Sequence, residues 1–544
     1  MISQLFQNLK QKKCDLVVYL LFLLISILLM FKTFKVDNGN MIIASKLWSD
    51  FAATIPLIRS FSLGNNFPPQ YPLFAGPPIR YHFLFYFIVG MLEKIGLRID
   101  ISLNLLSTIG FFLLLLAVYK LAITVFKSRI VATLSVIFFL FNGSLSFLEF
   151  FKKNPLSIDI FKKIISNTQF PSFGPYDGKI VSAFWNLNIY TNQRHLALAY
   201  AFFIFLLIIF YKANLNPKNL NLLKVLLLAI LVGLFPFFHL AVFAMIETLL
   251  LISLIVFPKI RKQVIFISLL SIIFIIPQIL YMGKSNIEVE LFNPGYLVEN
   301  LNITNFIKYW FLNLGLGVVL PFVGFFLARK NQRKIFIPFI SLFIVGNLFK
   351  FSPEIAANHK FFNLYIVGAN IFAAYTLVTL FQKNIVSKII VPLCFLFLTL
   401  SGIIDFFPII NDSIIKIEDI PNNKVATFIK KATPKDAVFL NSSFLYNPAS
   451  LAGRKIFIGW PYFAWSAGYD TEKRGRLLRE FYSSHDKNYI CTFLDSQNIS
   501  FFTTEDTQND NNFPEIDLKF FKNNFSAIYS DDKITIFKKE DNCI

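Results

Sequence analysis

Long uninterrupted apolar runs separated by short polar connectors dominate the first three-quarters of the chain. The first, VVYLLFLLISILLMF, runs from Val17 to Phe31. A membrane crossing needs about 20 apolar residues in helical form. Stretches of that kind lie near 16–33, 101–124, 130–148, 193–211, 221–237, 238–257, 263–282, 308–328, 334–350, 361–382 and 386–404. The pattern predicts a polytopic α-helical membrane protein with about 11 transmembrane helices. No signal-peptide cleavage pattern follows the first run, so that run is expected to stay as an anchor.

The connectors carry charge unevenly. Lys10, Lys12 and Lys13 precede the first span, and Lys120, Lys127 and Arg129 share a later turn. Lys212, Lys218 and Lys224 follow, then Lys259, Arg261 and Lys262, then Arg329, Lys330, Arg333 and Lys334, and last Lys383 and Lys388. Placing all of these inside satisfies the positive-inside rule. The N-terminus is then cytoplasmic, and segments 34–100, 149–192, 283–307, 351–360 and everything after 404 lie outside. The parity requires that Tyr81–Gly96 (YHFLFYFIVGMLEKIG) stay on the outer side as an interfacial or re-entrant helix, which its length, Glu93 and Lys94 favour. The Phe235–Pro236 break and His239 suggest two spans meeting at the outer surface.

Composition sharpens this picture. The 544 residues are 55% hydrophobic and 15% charged, against roughly 25% charge in soluble domains. The net charge of +20 follows the loops that topology requires and forms no basic stripe with stacking aromatics, so nucleic acid is not an expected partner. With 68 Phe, single phenylalanines carry little information. The division expected is a membrane domain over 1–404 with its first outer loop at 34–100, and an extracytoplasmic α/β domain over 405–544. In that tail, strand-like runs (AVFLNSS, KIFIGW, ISFFTT, ITIFKK) alternate with helical stretches at Lys424–Lys431 and Thr471–Phe481. Its Cys491 and Cys543 could pair if the domain faces an oxidising space. The four cysteines show no zinc-binding spacing.

The first outer loop is too long and too aromatic for a connector. Asp50, beside Trp48, opens an apolar-periodic stretch of Leu47, Phe51, Ile55 and Ile58 that would lie along the interface. Asp50 would either cap that helix or act from the bilayer surface. Four of the five histidines, His82, His195, His239 and His359, fall on the outer side with Arg80, Asp177, Lys179, Gln193, Arg194 and Lys360. Polar groups there can simply anchor helix ends, but His239 sits within GLFPFFHLAVF, and an ionisable group in an apolar run faces a cavity or a partner. Cations around one carboxylate suit an anionic lipid phosphate and an acceptor hydroxyl that must lose its proton.

WSDF at Trp48–Phe51, NNFPPQYP at Asn65–Pro72, PPIRYHF at Pro77–Phe83, NQRHLALAY at Asn192–Tyr200, FPFFH ending at His239 and NHKFFN at Asn358–Asn363 carry a resemblance. So do TPKDAVFL and AGRKIFIGWPYFAWSAGYD in the tail. The layout resembles the GT-C superfamily of membrane glycosyltransferases, which use polyprenyl-phosphate or polyprenyl-diphosphate sugar donors. The resemblance implies a catalytic acid at Asp50, with Arg80, Arg194, His239 and Lys360 holding the donor phosphate. His82, Asp177, Gln193, His195, His359, Trp460, Tyr462 and Trp465 are accessory candidates, the last three in a tail segment, Gly459–Tyr469, that would lie over the site. Some members carry adjacent acidic pairs or a second acidic loop motif that binds a divalent metal. Asp50 has no acidic neighbour, so the metal is left open.

The function expected is transfer of a sugar from a polyprenyl-phosphate lipid to an acceptor on the outer side of the cell membrane. A lipid or polysaccharide transporter or flippase is the rival, though no duplicated halves appear. A non-catalytic membrane scaffold is the third reading. Asp50→Asn separates these classes, because only an enzyme loses turnover.

Overall fold

The computed structural model describes residues 2–172, 180–507 and 513–543. Asp177 and Lys179 lie outside them. All eleven apolar stretches are largely helical, but their lengths differ. Among the described residues, six helices are long and apolar enough to cross a membrane, and a seventh span arises if Ile303–Val318 and Leu320–Leu327, bent by 49°, count as one. Arg129–Leu140, Leu222–Gly233 and Leu240–Val256 are apolar but shorter. A 12-residue helix rises about 18 Å against a hydrocarbon core of about 30 Å. The 130–148 stretch ran across a break at Phe141–Leu145, and the 334–350 stretch holds a helix of only 13 residues, Phe336–Leu348.

Helix α1 (Ile2–Thr33) leads into a hairpin of β1 (Phe34–Asp37) and β2 (Asn40–Ala44). Its two-residue turn places Asn38 at φ 46° and Gly39 at φ 72°, the positive-φ pair that a tight hairpin favours. A side chain at 39 would also strike the Asn422 amide at 2.7 Å. β2 pairs antiparallel with β3 (Ile414–Glu418), which follows the last long helix, Ile385–Ile410. The first outer loop and the tail thus share a sheet.

They also share a core. Leu47, just ahead of helix α2 (Trp48–Ser62), and Phe51, Ile55 and Ile58 within it are buried, and helix α3 (Leu84–Lys94) packs Phe85 and Val89 into the same cluster as Phe439, Leu451, Ile456 and Phe481 of the tail. At 11 residues α3 rises about 16 Å, too little to cross. The tail's second sheet contains β4 (Val438–Leu440), β5 (Lys455–Ile456), β6 (Phe501–Glu505), β7 (Ala527–Ser530) and β8 (Ile534–Lys538), in the order β5-β4-β6-β8-β7. Cys491 and Cys543 are joined by a disulfide.

Two close contacts lock loop to tail. Arg59 of α2 is buried and forms ion pairs with Glu93 of α3 at 2.8 Å and Asp419 of the tail at 2.8 Å. Gly64 meets Gly453 so closely that an added Cβ would lie 2.2 Å from the Gly453 carbonyl oxygen. Gly64→Ala is therefore expected to destabilise this joint by about 1–3 kcal/mol, as overpacking does. Denaturant unfolding followed by tail fluorescence checks it; an unchanged midpoint would refute the contact.

The long helices run between two unlike ends. Helices Leu196–Leu215, Leu240–Val256 and His359–Phe381 begin beside His195, His239 and Lys360 and finish at the Lys/Arg-rich connectors. Helix Arg261–Met282 runs the other way. At the basic end, Arg129 pairs with Asp15 at 2.9 Å, Gln332 donates to the Val125 carbonyl, and Lys259 N donates to Asn214. The basic connectors therefore gather on one face, opposite the face carrying the polar outer residues.

Candidate active site

Where α2, the loop around Tyr81 and the starts of three long helices converge, they enclose a cavity of about 760 Å³. Its lining includes Asp50, Arg80, His82, Gln193, His195, His239, His359, Lys360 and Tyr462. These residues come from six separate segments, so only the fold brings them together. Phe463, Ser466, Ala467 and Gly468 of the tail also line it, which makes the tail part of its wall.

Asp50 sits in the first turn of α2, but the helix has Leu47 as its N-cap and no side-chain cap, so the carboxylate is not spent on the helix end. Burial pushes its carboxyl up to about 6, against the pull of Lys360 in the opposite direction. The side chain is only partly buried because one side faces the cavity. Lys360 lies at the start of helix His359–Phe381, near enough to act electrostatically on Asp50, His82, His195 and His239. The contact of its Nζ with the Ala357 carbonyl is 3.5 Å, at the outer limit of a hydrogen bond.

Arg80 is positioned by the tail. Its Nη1 donates to Asn286 at 2.6 Å and to the Gly468 carbonyl at 2.7 Å, and its guanidinium lies over the Tyr469 ring at 4.9 Å. No carboxylate neutralises it among these contacts. Lys46, which also lines the cavity, is paired with Asp412 at 2.7 Å.

Three histidines cluster at the back. His82 Nε2 and His195 Nε2 are 2.8 Å apart, and Tyr86 OH is 2.7 Å from His195 Nδ1. The His82 and His239 rings lie nearly parallel with centroids 4.4 Å apart. Burial holds His82 well below the usual histidine range, aided by His195 and Lys360, so it is neutral at neutral pH. His359 is turned to Asn363, with its Nδ1 3.0 Å from that amide nitrogen.

Several polar atoms of the wall are buried without a hydrogen-bond partner: Arg80 Nε, Asn188 Oδ1, Asn192 Oδ1, Gln193 Oε1 and His239 Nε2. Buried polar atoms are nearly always satisfied. Their concentration around one cavity marks a place built to receive a polar ligand.

Three sequence candidates stand apart. Arg194 does not line the cavity: its guanidinium donates to the Thr191 and Met30 carbonyls, Asn104 and Thr33, and lies 5.5 Å from the Phe51 ring centroid. Its role is to tie α1, α2 and α4 (Ile99–Phe126) together, so the phosphate-holding role expected of it does not fit its position. Trp460 and Trp465 are also outside the lining; the Trp465 ring lies tilted against Tyr462 with centroids 6.0 Å apart. Asp177 lies outside the described residues. Sequence reasoning missed Tyr71, Tyr81 and Tyr86, which line the cavity near Asp50. Tyr81 and Tyr86 share the stretch PPIRYHFLFY, and Tyr71 lies in NNFPPQYP.

The fold is similar to that of a solved archaeal oligosaccharyltransferase. An oligosaccharyltransferase from Archaeoglobus fulgidus, solved in the apo form, matches at a TM-score of 0.50 and 12% identity over 94% of this chain and 73% of that one. ArnT from Cupriavidus metallidurans, bound to undecaprenyl phosphate, matches at a TM-score of 0.46 and 9% identity over 96% and 98%. At such identities the likeness is one of fold. No protein-family model and no curated protein sequence matches the chain.

Proposed function

We propose that the protein is an integral-membrane glycosyltransferase that moves a sugar from a polyprenyl-phosphate-linked donor to an acceptor on the outer side of the membrane. The observation that carries this reading is the convergence of Asp50 and Lys360 on one cavity whose wall holds unsatisfied polar atoms. Asp50 takes the proton from the acceptor nucleophile as it attacks the anomeric carbon. The bond from that carbon to the phosphate oxygen breaks, and the phosphate leaves with the electron pair. Lys360 and Arg80 stabilise the charge that appears there. Apolar lining residues Leu240, Phe243 and Ile279 suit a prenyl chain, and Ile279 continues into the exposed apolar flank of Ile273, Ile276 and Leu280. The fold shared with an oligosaccharyltransferase supports the same class of chemistry.

Reconstitution in liposomes with labelled polyprenyl-phosphate sugars tests it. Lys360→Met is expected to lower transfer roughly 10²–10³-fold, the worth of one stabilising donor in the transition state. Undiminished transfer would remove Lys360 from the site.

The basic face lies inside and the tail outside in this reading, as the Lys/Arg distribution and the Cys491–Cys543 disulfide support. Single cysteines at Ser3 and Ser530, with Cys14 and Cys394 replaced by serine, should label with opposite accessibility in intact cells. Equal accessibility would overturn the orientation.

A further inference from the structure

We propose that His82, His195 and His239 form a binding site for one divalent transition-metal ion of the zinc type, opening onto the cavity. Among the described residues, this is the one cluster of three or more His, Cys, Asp or Glu side chains whose ligand atoms converge, all within 4.8 Å of one another and all from buried residues. Metal-binding relatives resembled by the sequence use paired acids, and Asp50 has no such partner beside it in sequence. The imidazole set is a different chemistry that needs no carboxylate.

Three observations point to an ion. Zinc–nitrogen bonds of about 2.0–2.1 Å at a tetrahedral centre put ligand nitrogens about 3.4 Å apart. The trio brackets that spacing, from 2.8 Å between the His82 and His195 Nε2 atoms to the 4.8 Å limit. His239 Nε2 is buried and has no hydrogen-bond partner, although its ring stacks on that of His82 and lies tilted against that of His195. An outer partner is in place as well: with His195 Nε2 on an ion, Nδ1–H donates to Tyr86 OH at 2.7 Å, the support that fixes a ligating imidazole. Imidazole ligands select zinc, copper, nickel or iron over calcium or magnesium.

Loading has a definite structural cost. The parallel His82 and His239 rings must fan apart so that both in-plane lone pairs reach one point, and the cavity beside His239 leaves room for this. His239 Nδ1 then carries the proton and gives up its long 3.4 Å contact from Val242 N. Three neutral ligands leave at least one coordination position facing the cavity.

The test uses the full-length protein in detergent, without a histidine tag, stripped with chelator and titrated with Co²⁺ or Zn²⁺. One ion per chain is expected by elemental mass spectrometry, and Co²⁺ should give the intense visible bands of a four-coordinate centre. His82→Gln and His239→Gln should each lower affinity at least roughly tenfold, the lower end of what a partner outside the ligand set is worth. His359→Gln, in the same cavity but outside the trio, should leave binding intact. A wild-type chain with no stoichiometric metal overturns the site, as does binding that survives both substitutions. Metal content and spectra do not depend on glycosyl transfer, so this site and the proposed activity can fail separately.

Discussion

Asp50→Asn should abolish measurable transfer, a loss of roughly 10²–10⁴-fold, while the protein still extracts, folds and binds polyprenyl phosphate. Asparagine keeps the shape of aspartate but cannot take a proton. Because the side chain caps no helix and forms no ion pair within bonding distance, its replacement leaves the fold intact. The pH profile sharpens the expectation. The base form of a carboxyl raised to about 6 is populated above that pH, so wild-type turnover should fall about tenfold per unit below it and level off above. Lys360 opposes that rise, and Lys360→Met should move the acidic limb to higher pH in whatever transfer remains. Initial rates across pH 4–8 (roughly two units either side of 6) check both points. An Asp50→Asn protein with wild-type turnover would leave a transporter or a scaffold as the better reading.

Arg59→Ala is expected to have the largest effect on stability. The guanidinium is buried between Glu93 and Asp419, each at 2.8 Å, and its Nη1 also donates to the Leu451 carbonyl. Removing it leaves two carboxylates facing each other with little water, which typically costs about 3–5 kcal/mol. The damage should be local: the tail separates from α2 and α3, and limited proteolysis should cut after Asn411 while the membrane helices stay protected. Arg59→Lys should rescue only part of the loss, since an ammonium cannot bridge both partners with the same fork geometry. An unchanged proteolysis pattern in Arg59→Ala would show that the ion pairs do not hold the joint.

Hydrophobic runs made the helical membrane body legible, and alternation with turn residues made much of the tail's sheet legible. β4, β5, β6 and β8 all fall in the strand-like runs, whereas β7, a short edge strand with little alternation, gave no usable signal. Helix bounds were not legible where a break divides one apolar window, as at Phe141–Leu145, because hydropathy averages over the break, whereas Pro236 and His239 marked the break between Leu222–Gly233 and Leu240–Val256. The β1–β2 hairpin was not read from the sequence, and nothing local tells that β2 pairs with β3, whose residues lie far along the chain (strand geometry at about 3.3 Å of rise per residue does not set partner choice). The cavity was legible only as a set of outer-face polar residues. Whether a given one turned inward depended on packing: His239 and Lys360 line the cavity, while Arg194, equally polar and adjacent to His195, is absorbed by α1 and α4.

The most direct test of the central claim is a cryo-EM map of the full-length protein in nanodiscs with a polyprenyl phosphate added. Headgroup density is expected between Lys360 and Arg80, with the prenyl chain leaving past Leu240 and Ile279 toward the bilayer and Asp50 on the side left open for an acceptor. A headgroup bound away from Lys360 and Arg80, or a cavity that stays free of lipid while the phosphate occupies another surface, would contradict it.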